Sequence, residues 1–484
     1  MTKQINTKIC VSILGTLSFV FSAVAQNKEW SLQECLQHAI ENNISIKQSE
    51  LDIEQADIDR KDAIGALLPS LNLRGDNTWN TGLTQNVVTG VLQTQTTRNS
   101  SYSVNVGVTL FDGLRNYRQI NRAKLATLAS QYSQEKIEDD IALFVANGYL
   151  QVLTNKENLK VIESQHEITL QQIDRTKQLV DTGVLPMGDL LEIEATSADE
   201  LRRIAQAQND VRISLVSLAQ TLLVKDYENF DIEDKNYNIP TNEILLLDAQ
   251  EVLDRAKKER YEIKIAEENK KIAEENIKIA RGAYLPTLGG FFNYNTRESG
   301  AGQILSGGLD PNAPTQQIGV VETTGDPVVT PNFTIREGNP LPFFDQLSQN
   351  DGTSYGFSLQ VPVFNGFATR NNVKRSRIAA ERAAYQLEQS KLDLESNVYQ
   401  AFLDAKGSAK AYDAAVVAVK AQEQAYQYAK DRYDVGLINA FDFSQSKFRL
   451  ENAQSTAVSA KFNYIFRLKV IELYFGVPVE DIQL

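Results

Sequence analysis

Ser354-Tyr355-Gly356-Phe357-Ser358-Leu359-Gln360-Val361-Pro362-Val363-Phe364-Asn365-Gly366 repeats in outline a stretch 253 residues earlier, Ser101-Tyr102-Ser103-Val104-Asn105-Val106-Gly107-Val108-Thr109-Leu110-Phe111-Asp112-Gly113. In both copies every second residue is apolar: Tyr102, Val104, Val106, Val108 and Leu110 in the first, Tyr355, Phe357, Leu359, Val361 and Val363 in the second. Strict alternation over about ten residues with aromatic ends is the pattern of a transmembrane β-strand, although a soluble half-buried sheet alternates equally well. Further along, Asp181-Thr182-Gly183-Val184-Leu185 matches Asp434-Val435-Gly436-Leu437-Ile438, and Asp189 matches Asp442, at the same offset of 253. Upstream, Leu68-Pro69-Ser70-Leu71 matches Leu285-Pro286-Thr287-Leu288 at an offset of 217, which leaves 36 extra residues in the second copy. A register kept over so long a span marks an internal tandem duplication.

Each copy carries the same order of elements. The first, residues 26–236, reads as a helix from Ser31 to Ala66, a β-hairpin over about 70–112, a long helix over about 114–182 and a helix over 189–225. The second, residues 237–484, reads as a helix over 248–284, a hairpin over about 286–364, a long helix over 367–435 and a helix over 442–475. The long stretches contain no proline, and as continuous helix each would run about 100 Å, longer than a globular core needs. The repeated Lys264-Ile265-Ala266-Glu267-Glu268-Asn269 and Lys271-Ile272-Ala273-Glu274-Glu275-Asn276 adds a seven-residue period, the mark of helices wound on one another. Leu71, Leu73 and Trp79, and Leu288, Phe292 and Tyr294, supply the other strand of each hairpin, four strands in all. The hairpin loop over 298–352 holds six of the twelve prolines and eight glycines, so an irregular loop is expected there rather than a further hairpin. Four strands cannot close a barrel, and an open sheet edge is not tolerated in lipid, so transmembrane strands require association of chains. Two chains would bring eight strands and a barrel filled by side chains; three would bring 12 and begin to open a lumen.

Composition narrows the chemistry. Forty-nine Lys and Arg stand against 62 Asp and Glu, a net charge of -13 in 484 residues, and no Lys/Arg cluster stands out, so nucleic acid is excluded as a partner. Two His and two Cys leave no convincing metal cluster or Ser-His-Asp triad, and no cofactor is implied. Lys3 and Lys8 precede an apolar run from Ile9 to Val24, and Ala23-Val24-Ala25 precedes Gln26, so residues 1–25 read as a signal peptide. Cleavage there leaves Cys35 alone and excludes an intrachain disulfide. Asp189-Leu190-Leu191-Glu192 and Asp442-Phe443-Ser444-Gln445 read as an Asp N-cap with an acid or amide three residues on, and Gly183 and Gly436 sit where helix C-caps fall.

The signal peptide, the duplicated order of helix, hairpin, long helix and helix, the Leu-Pro before each hairpin, and the Phe-Asp-Gly and Phe-Asn-Gly after it resemble the TolC family of outer-membrane efflux proteins. The resemblance covers essentially the whole mature chain. It implies a mainly α fold with a transmembrane β-barrel: a homotrimer with a 12-stranded barrel in outer-membrane lipid, four strands per chain, continued by a long periplasmic α-helical barrel in a Gram-negative bacterium. It also implies a passive exit duct, not an enzyme, working with a periplasmic adaptor (membrane fusion) protein and an inner-membrane transporter in a tripartite efflux pump or type I secretion system. By the same resemblance Asp442 lies at the pore constriction, with Gln445 where the family has a second aspartate and with Asp189 and Glu192 at the matching place of the first repeat. Tyr433 and Asp189 correspond to a gate latch whose arginine is replaced here by Ile438. Thr182, Gly183 and Val184, with Val435, Gly436 and Leu437, correspond to the helix tips that meet the adaptor. A secreted coiled-coil scaffold or adhesin would share the helices and the acidic charge but has no use for four alternating strands at matched positions.

Overall fold

The computed structural model describes residues 29–86, 90–235, 237 and 248–477; the signal-peptide stretch and residue 236, where the first repeat is expected to end, lie outside them. The described elements are β1 (Glu29–Trp30), α1 (Leu32–Asn42), α2 (Ile44–Gly65), β2 (Ser70–Gln85), β3 (Leu92–Phe111), α3 (Arg115–Asp181), α4 (Met187–Thr221), β4 (Asp231–Ile232), α5 (Ala249–Glu259), α6 (Tyr261–Gly282), β5 (Thr287–Ser299), β6 (Gln303–Leu309), β7 (Thr315–Val320), β8 (Pro327–Pro331), β9 (Phe333–Gly338), α7 (Phe343–Gln349), β10 (Gly352–Gln360), α8 (Ala368–Asp434) and α9 (Ala440–Tyr474). They divide into two units. One is made of Met1–Ser49, Gln134–Arg260 and Leu392–Leu484, the other of Glu50–Ser133 and Tyr261–Lys391.

In the strand-bearing unit the main sheet is antiparallel and has the order β10-β5-β3-β2. Its register gathers the alternating apolar residues into rows. Leu71 pairs with Val106, Val106 with Phe292 and Phe292 with Tyr355, while Leu73 pairs with Val104 and Val104 with Tyr294. Much of that face is bare, with Leu73 76% and Tyr355 81% exposed. An antiparallel sheet in water covers one face with core; this one covers neither completely and, among the described residues, leaves β2 and β10 as unpaired edges. Each connection from strand to long helix passes through two successive left-handed residues, Gly113 and Leu114 in the first repeat, Gly366 and Phe367 in the second. At Gly113 a side chain would also run into the carbonyl of Gly282, so glycine is required there on two counts.

The hairpin loop over 298–352 departs from the expected irregular connection. β6 pairs with β9, β7 pairs with β8 inside them, and α7 closes the segment, so the prolines and glycines punctuate a nested β arm. Pro327 and Pro331 stand at the two ends of β8, where a missing amide is tolerated, and Gly325 supplies the positive φ of the turn before it. The arm is tied back to β5: Gln346 accepts from the Ser299 amide at 2.9 Å and donates to the Ser299 carbonyl at 3.0 Å, and Thr296 donates to the Leu347 carbonyl at 2.6 Å.

The helical unit is built round a core of Cys35 and Ala39 from α1, Val145, Tyr149 and Val152 from α3, Leu218 from α4 and Leu222 just past its end, Ile232 from β4, and Phe462 and Ile465 from α9. The parallel pairing of β1 with β4, Trp30 opposite Ile232, closes one side of it. The Tyr149 hydroxyl lies 3.3 Å from the carbonyls of Trp30 and Glu233, and burial raises its pKa. The single first helix expected in each repeat is in fact two. α1 and α2 are separated by Asn43 (φ -61, ψ 133) and α5 and α6 by Arg260 (φ -68, ψ 131), positions that correspond at the offset of 217. At Asn43 the side chain accepts the Ser45 amide at 2.8 Å, a local cap for the restart. At Arg260 the reason is tertiary: the guanidinium is buried in an ion pair with Asp139 of α3 at 3.0 Å.

Candidate functional site

The residues singled out in the sequence gather at two short turns of the helical unit. The long helix α3 ends through Gly183 (φ 77), whose amide donates to Val180 O while Val184 N donates to Leu179 O; α8 ends the same way through Gly436 (φ 72), with Leu437 N bonded to Arg432 O. This paired closure requires a left-handed residue just past the helix, which glycine adopts without a steric penalty. Val184, Val435 and Leu437 then project bare, at 61%, 68% and 68% exposure. Thr182 is exposed as well, but its hydroxyl is turned onto its own helix, donating to Gln178 O at 3.0 Å.

The capping expected of Asp189 and Asp442 is not what the structure has. α9 starts at Ala440 with Asn439 as its N-cap, and the Asn439 side chain accepts the Asp442 amide at 2.8 Å. α4 starts at Met187 after Pro186, with no side-chain cap. Both aspartates therefore occupy the third helical position, where a carboxylate complements the helix dipole but leaves its oxygens free for other work. Asp442 and Gln445 are exposed and three residues apart, on one face of α9; Glu192 is exposed on α4 and Asp189 half-buried there.

Tyr433 is fully buried near the end of α8 and stacks on Phe443, ring centroids 4.9 Å apart. Its hydroxyl shares a 2.8 Å hydrogen bond with Thr176 of α3, not with Asp189, which acts on it only through charge. Burial, helped by Asp189, raises the Tyr433 pKa. Ile438 packs against the same cluster, which also holds Ile193, Tyr426, Ala440 and Leu450.

Sequence reasoning missed a buried charge network two turns further on. Glu200 of α4 accepts from Lys447 of α9 at 2.7 Å and from Thr169 of α3 at 2.9 Å, and its other oxygen lies 3.1 Å from His166 Nδ1. Arg203 pairs with Glu451 beside it. Burial pushes the Lys447 pKa down, opposed by Glu200. Glu200, Lys447, Arg203 and Glu451 border a cleft of about 290 Å³ that reaches out to Glu192 and Phe448. Lys447 and Glu200 lie 247 residues apart, and no local spacing announces the pair. Asn439 had a local signal in its Asn-x-x-Asp spacing; Thr176 had none.

A duplicated chain of very long helices, carrying a four-stranded sheet with bare apolar rows and open edges, defines the class of outer-membrane channel proteins. The chain belongs to the Outer membrane efflux protein family, whose pattern matches residues 35–222 and 252–469, one match in each repeat. It is 22% identical over 476 residues to the outer membrane protein TolC of Escherichia coli, covering 97% of this chain and 86% of that one. It is 23% identical over 349 residues to the TolC of Vibrio cholerae, covering 71% of this chain and 68% of its relative. Among solved structures, the Campylobacter jejuni CmeC outer membrane channel superposes with a TM-score of 0.72 at 15% identity, over 93% of this chain and 86% of that one. The Vibrio cholerae outer membrane protein VceC superposes at 0.70 and 14% identity, over 92% and 96%. The protein is thus an outer-membrane efflux protein of the Gram-negative type, with its helices in the periplasm, and not an enzyme.

Proposed function

We propose that three copies of this chain form the exit duct of a tripartite efflux pump or type I secretion system, taking substrate from an inner-membrane transporter and a periplasmic adaptor through the outer membrane. The observation that carries this reading is the sheet. Its apolar rows and two unpaired edges have no partner among the described residues, and three such sheets joined edge to edge make a closed barrel of 12 strands with its apolar face in lipid. A coiled-coil scaffold would leave those rows in water. The exposed Val184, Val435 and Leu437 at the paired helix tips suit an adaptor's helical hairpin, with Thr182, Gly183 and Gly436 letting its backbone come close. Asp442 then forms a ring of three carboxylates at the periplasmic constriction, flanked by Gln445, Asp189 and Glu192, and Tyr433 holds the neighbouring helix end in place.

Crowded carboxylates in a narrow pore with low-dielectric walls attract cations and repel anions. Asp442→Asn is therefore expected to lower cation selectivity and weaken block by multivalent cations in a planar bilayer. Because Asn439 and not Asp442 caps α9, the loss of stability should stay within the roughly 0.3–1 kcal/mol of a helix-dipole contact. Unchanged reversal potentials and block would place the constriction elsewhere. Failure of the protein to run as a heat-modifiable oligomer in the outer-membrane fraction would remove the duct reading altogether.

A further inference from the structure

In a chain with a net charge of -13, the first turns of both long helices are basic. Residues 114–124 hold Arg115, Arg118, Arg122 and Lys124 with no acid, and residues 367–382 hold Arg370, Lys374, Arg375, Arg377 and Arg382 with the single acid Glu381. Spaced three and four apart, these residues look scattered along the sequence, but on a helix Arg370, Lys374 and Arg377 fall on one face, and all three are exposed. None of the three has a carboxylate within 4 Å among the described residues, and their helix has no acid in its first turn. The helix itself gains nothing from cations at its start, where the dipole favours anions. In the first repeat Asp112 answers this, accepting the Asn116 amide at 2.8 Å beside Arg115; the matching residue of the second repeat is the neutral Asn365.

The surroundings identify what would answer the charge. β10 ends at Gln360, only ten residues before Arg370, and the intervening Val363, Phe364 and Phe367 are 91%, 76% and 56% exposed. Tyr284, Phe364, Phe367 and Arg370 line a cleft of about 220 Å³. Bare aromatics followed within one to three helical turns by unpaired cations match a bilayer surface, with rings at the glycerol level and cations among the headgroups. The rise from Arg370 to Arg377 is about 10 Å, close to one Debye length, so all three feel a charged membrane surface.

We propose that the face formed by Arg370, Lys374 and Arg377, with the Tyr284, Phe364 and Phe367 cleft, binds anionic phospholipid of the periplasmic leaflet. This rests on the outer-membrane placement of the strands. The cations take the headgroup phosphate and the rings take the adjoining glycerol and first methylenes. Arg375 and Arg377 match Arg122 and Lys124 of the first repeat, so a weaker basic zone stands at the start of the other long helix.

The test uses the full-length protein in vesicles of phosphatidylcholine with or without phosphatidylglycerol. Insertion into pure phosphatidylcholine checks the placement of the strands by itself, and retention of spin-labelled phosphatidylglycerol over phosphatidylcholine checks the site. Near an anionic surface each cation is worth roughly fivefold, so the triple variant Arg370→Gln, Lys374→Gln, Arg377→Gln should insert normally but lose about a hundredfold in preference. Conserving the charge with Arg370→Lys and Arg377→Lys in the native background should keep most of the preference. Neutralising the exposed Lys410 and Lys420, further along the same helix, should leave it unchanged. An unaltered preference in the triple variant overturns the proposal, as does an equal loss on neutralising Lys410 and Lys420. So does a shift toward cation selectivity in the triple variant with lipid retention intact, which would put the face in the pore.

Discussion

Replacing Lys447 with Met removes one cation from the interior of the helical unit and changes little else, since the two side chains are similar in length. Lys447 is 3% and Glu200 4% exposed, so the carboxylate left behind keeps only a narrow contact with water at the cleft. Of the contacts to Glu200, the one that neutralises it, the 2.7 Å bond from Lys447, is lost, and those to Thr169 and His166 remain. Breaking a buried pair on one side costs about 3–5 kcal/mol, because the residual charge keeps its desolvation penalty without its partner. For a folding unit of this size that corresponds to a fall of roughly 6–20 °C in the melting temperature. The double replacement Lys447→Met with Glu200→Leu removes both penalties together and should return to within about 1–2 kcal/mol of the native protein or exceed it. The pair Arg202 and Asp199, exposed on the surface of α4, provides the comparison: Arg202→Gln should cost less than about 1 kcal/mol. Loss of helix followed by circular dichroism in detergent, at one heating rate for all variants, measures the series. If Lys447→Met costs no more than Arg202→Gln, or the double variant is no better than the single, the charges are solvated and the reasoning fails.

Tyr426 is buried with no hydrogen-bond partner for its hydroxyl among the described residues, so Tyr426→Phe should be neutral or stabilising by up to about 1 kcal/mol at pH 7 in denaturant unfolding. Burial, with a smaller contribution from Asp434, pushes its pKa up to about 12 from an ordinary 10. A raised pKa means stability that is intact below pH 10 and lost as pH rises from 10 to 12, at about 1.4 kcal/mol per unit, and Tyr426→Phe should escape that share of the loss. Replacing residues 303–338 with a short Gly-Ser turn should leave the oligomer intact on unheated gels, because β6 to β9 pair mainly with one another. Extending the deletion through α7 should lower the temperature of oligomer dissociation, because Gln346 and Leu347 then no longer satisfy Ser299 and Thr296.

Much of the architecture was legible without coordinates because it is written in short periods. Alternation at two residues marks Tyr102 to Leu110 as strand and Tyr355 to Val363 likewise, though β10 stops at Gln360, before Pro362; the absence of proline over some 67 residues permits α3 and α8, and the offset of 253 reveals the duplication. These are local properties, set by where side chains point along a pleat or a helix, and they survive in one dimension. The nested arm was hidden because proline and glycine at strand ends look the same as proline and glycine in a loop, and the pairing of β6 with β9 joins residues up to 35 apart. The breaks at Asn43 and Arg260 carry no proline or glycine; the second is held by Asp139, 121 residues away. Asp442 looked like a cap because its residue type suits one, yet Asn439 reached the position first. Lys447 meeting Glu200, and Tyr433 meeting Thr176 in place of Asp189, were decided only when four helices, α3, α4, α8 and α9, packed together. The energy of a buried charge or hydroxyl depends on which distant group desolvates and answers it, and that is a property of the folded contact, not of the residue or its neighbours in sequence.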